Sequence, residues 1–307
     1  MTTALYAADA FRRHVTPPGH PEQVARLQAV AEGLAGFPLD RRDAPLGLDA
    51  DILRCHPARY LDRVRAAEPA QGWAQMDADT WLSPGSVEAA LRAVGGACAA
   101  VDAVLAGEVK NAFLAPRPPG HHAERETAMG FCLFGTVAIA AKHALDHHGL
   151  SRVAIVDFDV HHGNGTQDLL WDEARCLFVS SHQMPLYPGS GAASETGAHG
   201  QIINLPLREG SGGGVMRAAY EARVFPALAA WKPELILISA GFDAHADDPL
   251  AGLEWQAEDY AWLTTRICDL ADDHASGRVV SCLEGGYDLA ALTASVRAHV
   301  GALQERD

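Results

Sequence analysis

The sequence predicts a single α/β domain, with a mostly parallel central sheet and helices packed on both of its faces. Three observations carry that reading. From about residue 111 onward, short apolar runs alternate with helix-spaced patterns, the order of a parallel sheet with crossover helices. No internal repeat, low-complexity tract or linker interrupts the 307 residues, so one domain over 1–307 is expected. Four of the apolar runs end in side chains suited to chemistry, and ligands of open α/β sheets bind beyond the carboxyl ends of the strands.

Residues 1 to about 80 read as loop-rich with short helices. Thr16-Pro17-Pro18-Gly19-His20-Pro21-Glu22 is a stiff turn, and Val24, Leu27, Val30 and Leu34 follow it at helical spacing. Ser83 is expected to cap the next helix, with Pro84 as its first residue. Val87, Ala90, Leu91, Val94, Cys98, Val101 and Leu105 form its apolar stripe, and Gly107 closes it. Strands are then expected at 111–115, 152–158, 176–180, 201–205, 234–239 and 278–283. Helices are expected at 134–148, 165–172, 213–230, 256–275 and 288–304. The glycine-rich 210–214 stretch lacks the G-x-x-x-x-G-K-[ST] pattern, so no nucleotide loop is expected there.

Composition narrows the function. With 48% hydrophobic residues the chain can bury a large core. A formal charge of −15 speaks against a nucleic-acid partner and would draw cationic substrates, although it also serves solubility. Six scattered cysteines without a C-x-x-C pair are expected to be reduced, buried thiols rather than disulfides or zinc ligands. No apolar run has the length of a membrane span, and the N-terminus lacks the pattern of a signal peptide. A cytoplasmic location without a membrane partner is expected, and the oligomeric state stays open.

The richest stretch is Asp157-Phe158-Asp159-Val160-His161-His162-Gly163-Asn164-Gly165, directly after an apolar run. Buried carboxylates and imidazoles need partners, and a cation serves both. Asp159 and His161, two apart in an extended segment, would leave on one face, and Asp243 arrives from another strand end. Two carboxylates and one imidazole leave a fourth position for water, the layout of a catalytic zinc centre. Fe(II) or Mn(II) would suit nearly the same ligands, and a metal-free Asp–His cluster is the competing reading. His121 and His122 follow the stiff Pro118-Pro119-Gly120 turn and read as a positioned acid/base pair, with Asp157 and Asn164 available to fix their tautomers. Tyr287, beside Gly285 and Gly286, could donate to an oxyanion, or could be an ordinary half-buried tyrosine. Together these parts describe metal-assisted hydrolysis of an amide. No Gly-x-Ser-x-Gly elbow points to a serine hydrolase.

These residues resemble the zinc-dependent histone deacetylase family, whose members have the arginase/deacetylase fold. The resemblance runs from about His20 to about His299. Its carriers are Arg117-Pro118-Pro119-Gly120-His121-His122-Ala123, Gly130-Phe131-Cys132, the 157–165 stretch, Tyr187-Pro188-Gly189-Ser190-Gly191, Gly241-Phe242-Asp243-Ala244-His245 and Leu283-Glu284-Gly285-Gly286-Tyr287. Asn164 and the Leu-Glu-Gly-Gly-Tyr form are similar to class II members and to bacterial deacetylase-like amidohydrolases.

The resemblance implies zinc on Asp159, His161 and Asp243, His122 as general base and His121 as its electrostatic partner. It places Asp157 behind His121, Asn164 behind His122, and Tyr287 against the carbonyl. It also implies a structural potassium at Asp157, Ser180 and Ser181, with backbone oxygens of Asp159 and His161. An apolar tunnel would be walled by Phe131 and Tyr187, with Leu250 near its mouth and Gly130 at its side. Leu250 after Asp248-Pro249, where polyamine-specialised members can carry an acid, tilts the reading toward acetyl-lysine-like substrates. An acetylpolyamine amidohydrolase is the nearest alternative. A pseudoenzyme binding acyl-lysine and a binuclear manganese ureohydrolase fit less well, because His121, His122 and Tyr287 are all present. Gly135-Thr136 depart from the polar residue usual after the Phe131-Cys132-Leu133-Phe134 stretch, which touches the hydrogen bonding under the tunnel floor.

Overall fold

The computed structural model describes residues 2–306. Its strands are β1 (Thr3–Ala7), β2 (Asp40–Asp43), β3 (Ala74–Gln75), β4 (Trp81–Leu82), β5 (Asn111–Leu114), β6 (Val153–Asp157), β7 (Cys176–Gln183), β8 (Ile202–Leu207), β9 (Leu235–Ala240) and β10 (Val279–Leu283). Eight of them form one sheet in the order β2-β1-β5-β10-β9-β6-β7-β8, and β3 pairs only with β4. Every pairing in the large sheet is parallel.

Successive strand residues point to opposite faces, and each face has its own core. Ala154, Val156, Ile236 and Ile238 pack into one, while Val153, Ile155, Leu235 and Leu237 pack into the other. Burial on both faces is why these strands read as unbroken apolar runs rather than as alternation. All six cysteines are buried and free, as expected. Among the described residues, no helix is long and apolar enough to cross a membrane.

The structure corrects the sequence reading in several places. The first eighty residues supply β1 and β2, which extend the sheet beyond β5. β2 reads Asp40-Arg41-Arg42-Asp43; it is an edge strand, and charges on an edge deter further pairing, so it carries no apolar signal. Ser83 does not cap the following helix, which runs Ser86–Leu105 with Gly85 at the cap. The Ser83 hydroxyl instead accepts the Val15 N–H at 2.8 Å. The helix expected at 213–230 is interrupted by a wide turn at Tyr220–Val224, just before Pro226, whose missing N–H breaks the α-helical ladder. β7 runs three residues past its apolar part because Ser181, His182 and Gln183 all find buried partners in Tyr220, Gly191 and Gly252.

Candidate active site

The four central neighbours β5, β10, β9 and β6 carry the functional side chains on the segments that leave their carboxyl ends. After β6 the chain is bent at residues 159–161, not extended as expected. Side-chain-to-backbone bonds set the bends: Asp157 Oδ1 accepts the Asp159 N–H at 3.1 Å, and Asp159 Oδ1 accepts the His161 N–H at 2.8 Å. Two further backbone groups lock the carboxylates, Val160 N–H on Asp243 Oδ1 at 2.9 Å and Gly285 N–H on Asp159 Oδ2 at 2.8 Å. A Cβ on Gly285 would run into both carboxylates, so only glycine permits this approach.

The result is a compact donor set. His161 Nδ1 lies 3.1 Å from Asp159 Oδ1 and 3.2 Å from Asp243 Oδ2. Ligand atoms on a tetrahedral ion with bonds of about 2.1 Å stand about 3.4 Å apart, so His161 Nδ1 is near that spacing from each carboxylate, and ligand atoms of the three residues lie within 4.8 Å of one another. Burial opposes a charge on His161, yet the two carboxylates hold its pKa up at about 10. The site therefore favours positive charge at the point where the three side chains meet, and a divalent ion fits the same atoms. Asp159, His161 and Asp243 are all buried.

The histidine pair stands beside this set. Asn164 Nδ2 donates to Glu124 Oε1 at 2.8 Å, which turns Asn164 Oδ1 toward His122 Nδ1 at 2.7 Å. His122 Nδ1 therefore carries the proton and Nε2 is left as an acceptor. His121 Nδ1 pairs with Asp157 Oδ2 at 3.0 Å, and its Nε2 lies 3.7 Å from Asp159 Oδ2. Burial works against a proton on His121, but Asp159 and Asp157 outweigh it and hold the pKa well above the usual imidazole range. For His122, burial and the neighbouring His121 and His161 push the pKa well below that range. The surroundings thus push the two imidazoles apart, favouring a second ring proton on His121 and disfavouring one on His122, with ring centroids 4.0 Å apart.

Tyr287 closes the opposite side. Burial pushes its phenol well above the ordinary pKa, so it remains a donor. Its N–H is held by Asp248 Oδ2 at 2.7 Å, and the Arg26 guanidinium lies 5.0 Å from its ring centre. Behind it, Arg26 donates to the carbonyls of Gly286 and Glu284, and Glu22 binds both Arg26 and Arg117. Glu284 Oε2 accepts the N–H groups of Gly120 and His121 at 2.7 and 3.2 Å, and burial raises its pKa to about 7.

His122, His161 and Tyr287 share a cavity with Gly130, Phe131, Tyr187, Leu250, Asp79 and Leu186. Gly130 (φ 54°) lies against the His122 ring, where a Cβ would collide. Its N–H is held by Asp79 Oδ1 and that of Phe131 by Thr80 Oγ1, both at 3.0 Å, so the β3–β4 hairpin sets this wall. Phe131 meets Tyr287 edge-on at 5.8 Å, and Tyr187 meets His122 edge-on at 5.2 Å. Ser180 lies level with Asp157 across the β6–β7 ladder, and the Ser181 hydroxyl turns away to Tyr220 at 2.7 Å. At the departure after Phe134, the Gly135 N–H is satisfied by His56 Nε2 at 3.0 Å.

His121, His122, Gly130, Phe131, Asp157, Asp159, His161, Asn164, Tyr187, Asp243, Leu250 and Tyr287 are thus brought together at this end of the sheet. Its supports do not stand out in the sequence. Glu22 and Arg26 lie close in the chain, at i and i+4, but Glu22 is 95 residues from Arg117, and Asp79 sits in an unremarkable turn. Glu284, an acid ending an apolar strand, carries a visible signal, and Arg117 and Asp248 fall inside stretches already singled out, though not for this supporting role.

Comparisons with known proteins place the chain in a family. The Histone deacetylase domain model matches residues 20–303. The Histone deacetylase-like amidohydrolase of Pseudomonas aeruginosa is 42% identical over 285 residues, covering 89% of this chain and 74% of that protein. The Probable deacetylase of Archaeoglobus fulgidus is 37% identical over 298 residues, covering 94% and 82%. The crystal structure of the HDA15 HD domain superposes with a TM-score of 0.92 at 33% identity, covering 98% of this chain and 90% of that one. The chain belongs to the histone deacetylase family of hydrolases.

Proposed function

We propose that this protein is a zinc-dependent deacetylase that removes acetyl or another short acyl group from lysine-like amines, working as one domain. The observation that carries the proposal is the meeting of Asp159 and Asp243 with His161, which lines a cavity shared with a second imidazole, His122, and a phenol, Tyr287. A zinc-class ion on those three ligands would supply Lewis acidity toward a carbonyl and toward water.

The chain's own groups divide the remaining work. His122, protonated on Nδ1 by its bond to Asn164, offers Nε2 as acceptor for the proton of the attacking water. The charged His121, anchored on Asp157, favours negative charge developing nearby and disfavours a second proton on its neighbour. The Tyr287 hydroxyl donates toward the carbonyl oxygen as it becomes an oxyanion. The proton held by His122 then passes to the departing amine. Phe131 and Tyr187 give the cavity apolar walls suited to an aliphatic stem. Asp157 and Ser180, facing each other across the ladder, offer hard oxygens for a structural potassium with Ser181 and the backbone of Asp159 and His161.

Asp79 at the same cavity favours a second reading, in which a cationic acetylpolyamine is the substrate. Turnover of the zinc-loaded protein on an ε-acetyl-lysine peptide and on N-acetylputrescine, with Tyr287→Phe as control, separates the two. Preference for the peptide, lost in the variant, supports the first reading. Preference for acetylputrescine supports the second, and turnover of neither refutes both.

A further inference from the structure

A second cluster of metal-capable side chains lies outside the catalytic cavity, on the helix Thr136–Asp146. His143 is in the last turn of that helix, His147 is the next residue on the same face, and His148 follows it. The facing helix Ser86–Leu105 contributes Asp102. Asp102 Oδ1 receives both His143 Nε2, at 2.7 Å, and His148 Nε2, at 2.6 Å. His147 stacks on His143 with ring centres 4.8 Å apart and planes 16° from parallel, so this exposed ring would turn out of the stack to share an ion with His143. Ligand nitrogens of all three imidazoles lie within 4.8 Å of one another. His143 is buried while His147 and His148 face solvent, so an ion can reach the cluster.

The other edge of His143 is unusual. Its Nδ1 is buried without a hydrogen-bond partner, and the Asp51 carboxylate stands 3.6 Å from it. A buried ring nitrogen without a partner is costly. With Nε2 on a metal, Nδ1 must carry the proton, and it then points that proton at the Asp51 carboxylate. A carboxylate behind a ligating histidine is the usual way such a ligand is oriented and made more basic. The same carboxylate lies 3.6 Å from Arg54 Nε, which is itself without a hydrogen-bond partner.

We propose that His143, His147, His148 and Asp102 form a second metal site for a divalent ion of the zinc class, with Asp51 orienting His143. Three imidazoles and one carboxylate are the donors such ions prefer, and four of them can complete a tetrahedron. The two short contacts to Asp102 would open to about 3.4 Å as the ion replaces the hydrogen bonds between them. The ion would tie the C-terminal end of one helix to the last turn of its neighbour. None of these residues lines the catalytic cavity, so the site does not depend on the proposed activity.

The test is metal content of the untagged full-length protein after dialysis against zinc buffered at low micromolar free concentration. Wild type is compared with His147→Ala/His148→Ala, whose substituted side chains are exposed. The double variant should hold one equivalent less zinc and turn over substrate unchanged. That difference holds whether or not the catalytic centre is filled, so failure of the functional reading is distinguishable. Asp51→Asn, which keeps all four ligands, should weaken the extra equivalent about 10- to 100-fold. Equal zinc in wild type and double variant would overturn the proposal.

Discussion

Glu22→Gln tests how the floor of the site is held together. Glu22, Arg26 and Arg117 are completely buried side chains. Arg117 donates two bonds to the Glu22 carboxylate and Arg26 a third, and His14 lies 3.5 Å away. Glutamine keeps the shape and removes the charge, which leaves two guanidinium groups in the interior without a counter-ion. Breaking one buried pair costs about 3–5 kcal/mol, and here one substitution strands two cations, so the loss should lie near the upper end. In a chain of this size that lowers the melting temperature by on the order of 10 °C. Urea unfolding gives the free energy directly. The sign with pH follows from linkage. Burial pushes the Glu22 carboxyl up, but Arg117 and His14 outweigh it and hold the pKa well below its ordinary 4.5. A depressed carboxyl contributes stability above its unfolded pKa and loses it as pH falls through its folded pKa. The gap between wild type and variant should therefore be constant near neutrality and narrow below about pH 4.5. A loss under about 1 kcal/mol, the worth of a surface pair, would refute the reasoning.

Three further outcomes follow from the site. His122→Ala should lower kcat about 10²- to 10⁴-fold with zinc content unchanged, as measured by steady-state turnover and metal analysis. Asn164→Leu removes the acceptor from His122 Nδ1 and should lower kcat about 10- to 100-fold, since a buried donor left unmet costs about 1–3 kcal/mol. Gly285→Ala pushes a Cβ against Asp159 and Asp243, so it should reduce zinc affinity even though no ligand is changed, as read by competition with a chelating dye.

What was legible in the sequence was whatever is local. The strands buried on both faces announce themselves as apolar runs, and Asp159, His161, His121, His122 and Tyr287 sit at the ends of those runs. Edge strand β2 was hidden because its charged residues face solvent and deter pairing with another strand rather than pack into a core. The bend at 159–161 was hidden because each Asp binds the N–H two residues on, which period-2 reasoning does not anticipate. The buried Glu22–Arg26–Arg117 group joins residues up to 95 apart, and only the folded chain brings them behind Tyr287. Helix caps depend on one or two hydrogen bonds, which is why Ser83 misled while the helix after it was found.

The most direct measurement is turnover of the metal-stripped protein on an acetyl-lysine peptide as zinc is returned, beside Asp243→Asn. Recovery of activity with added zinc in wild type, and none in the variant, is the predicted result. Full turnover by the stripped protein, or equal recovery in Asp243→Asn, would contradict a catalytic metal held by Asp159, His161 and Asp243.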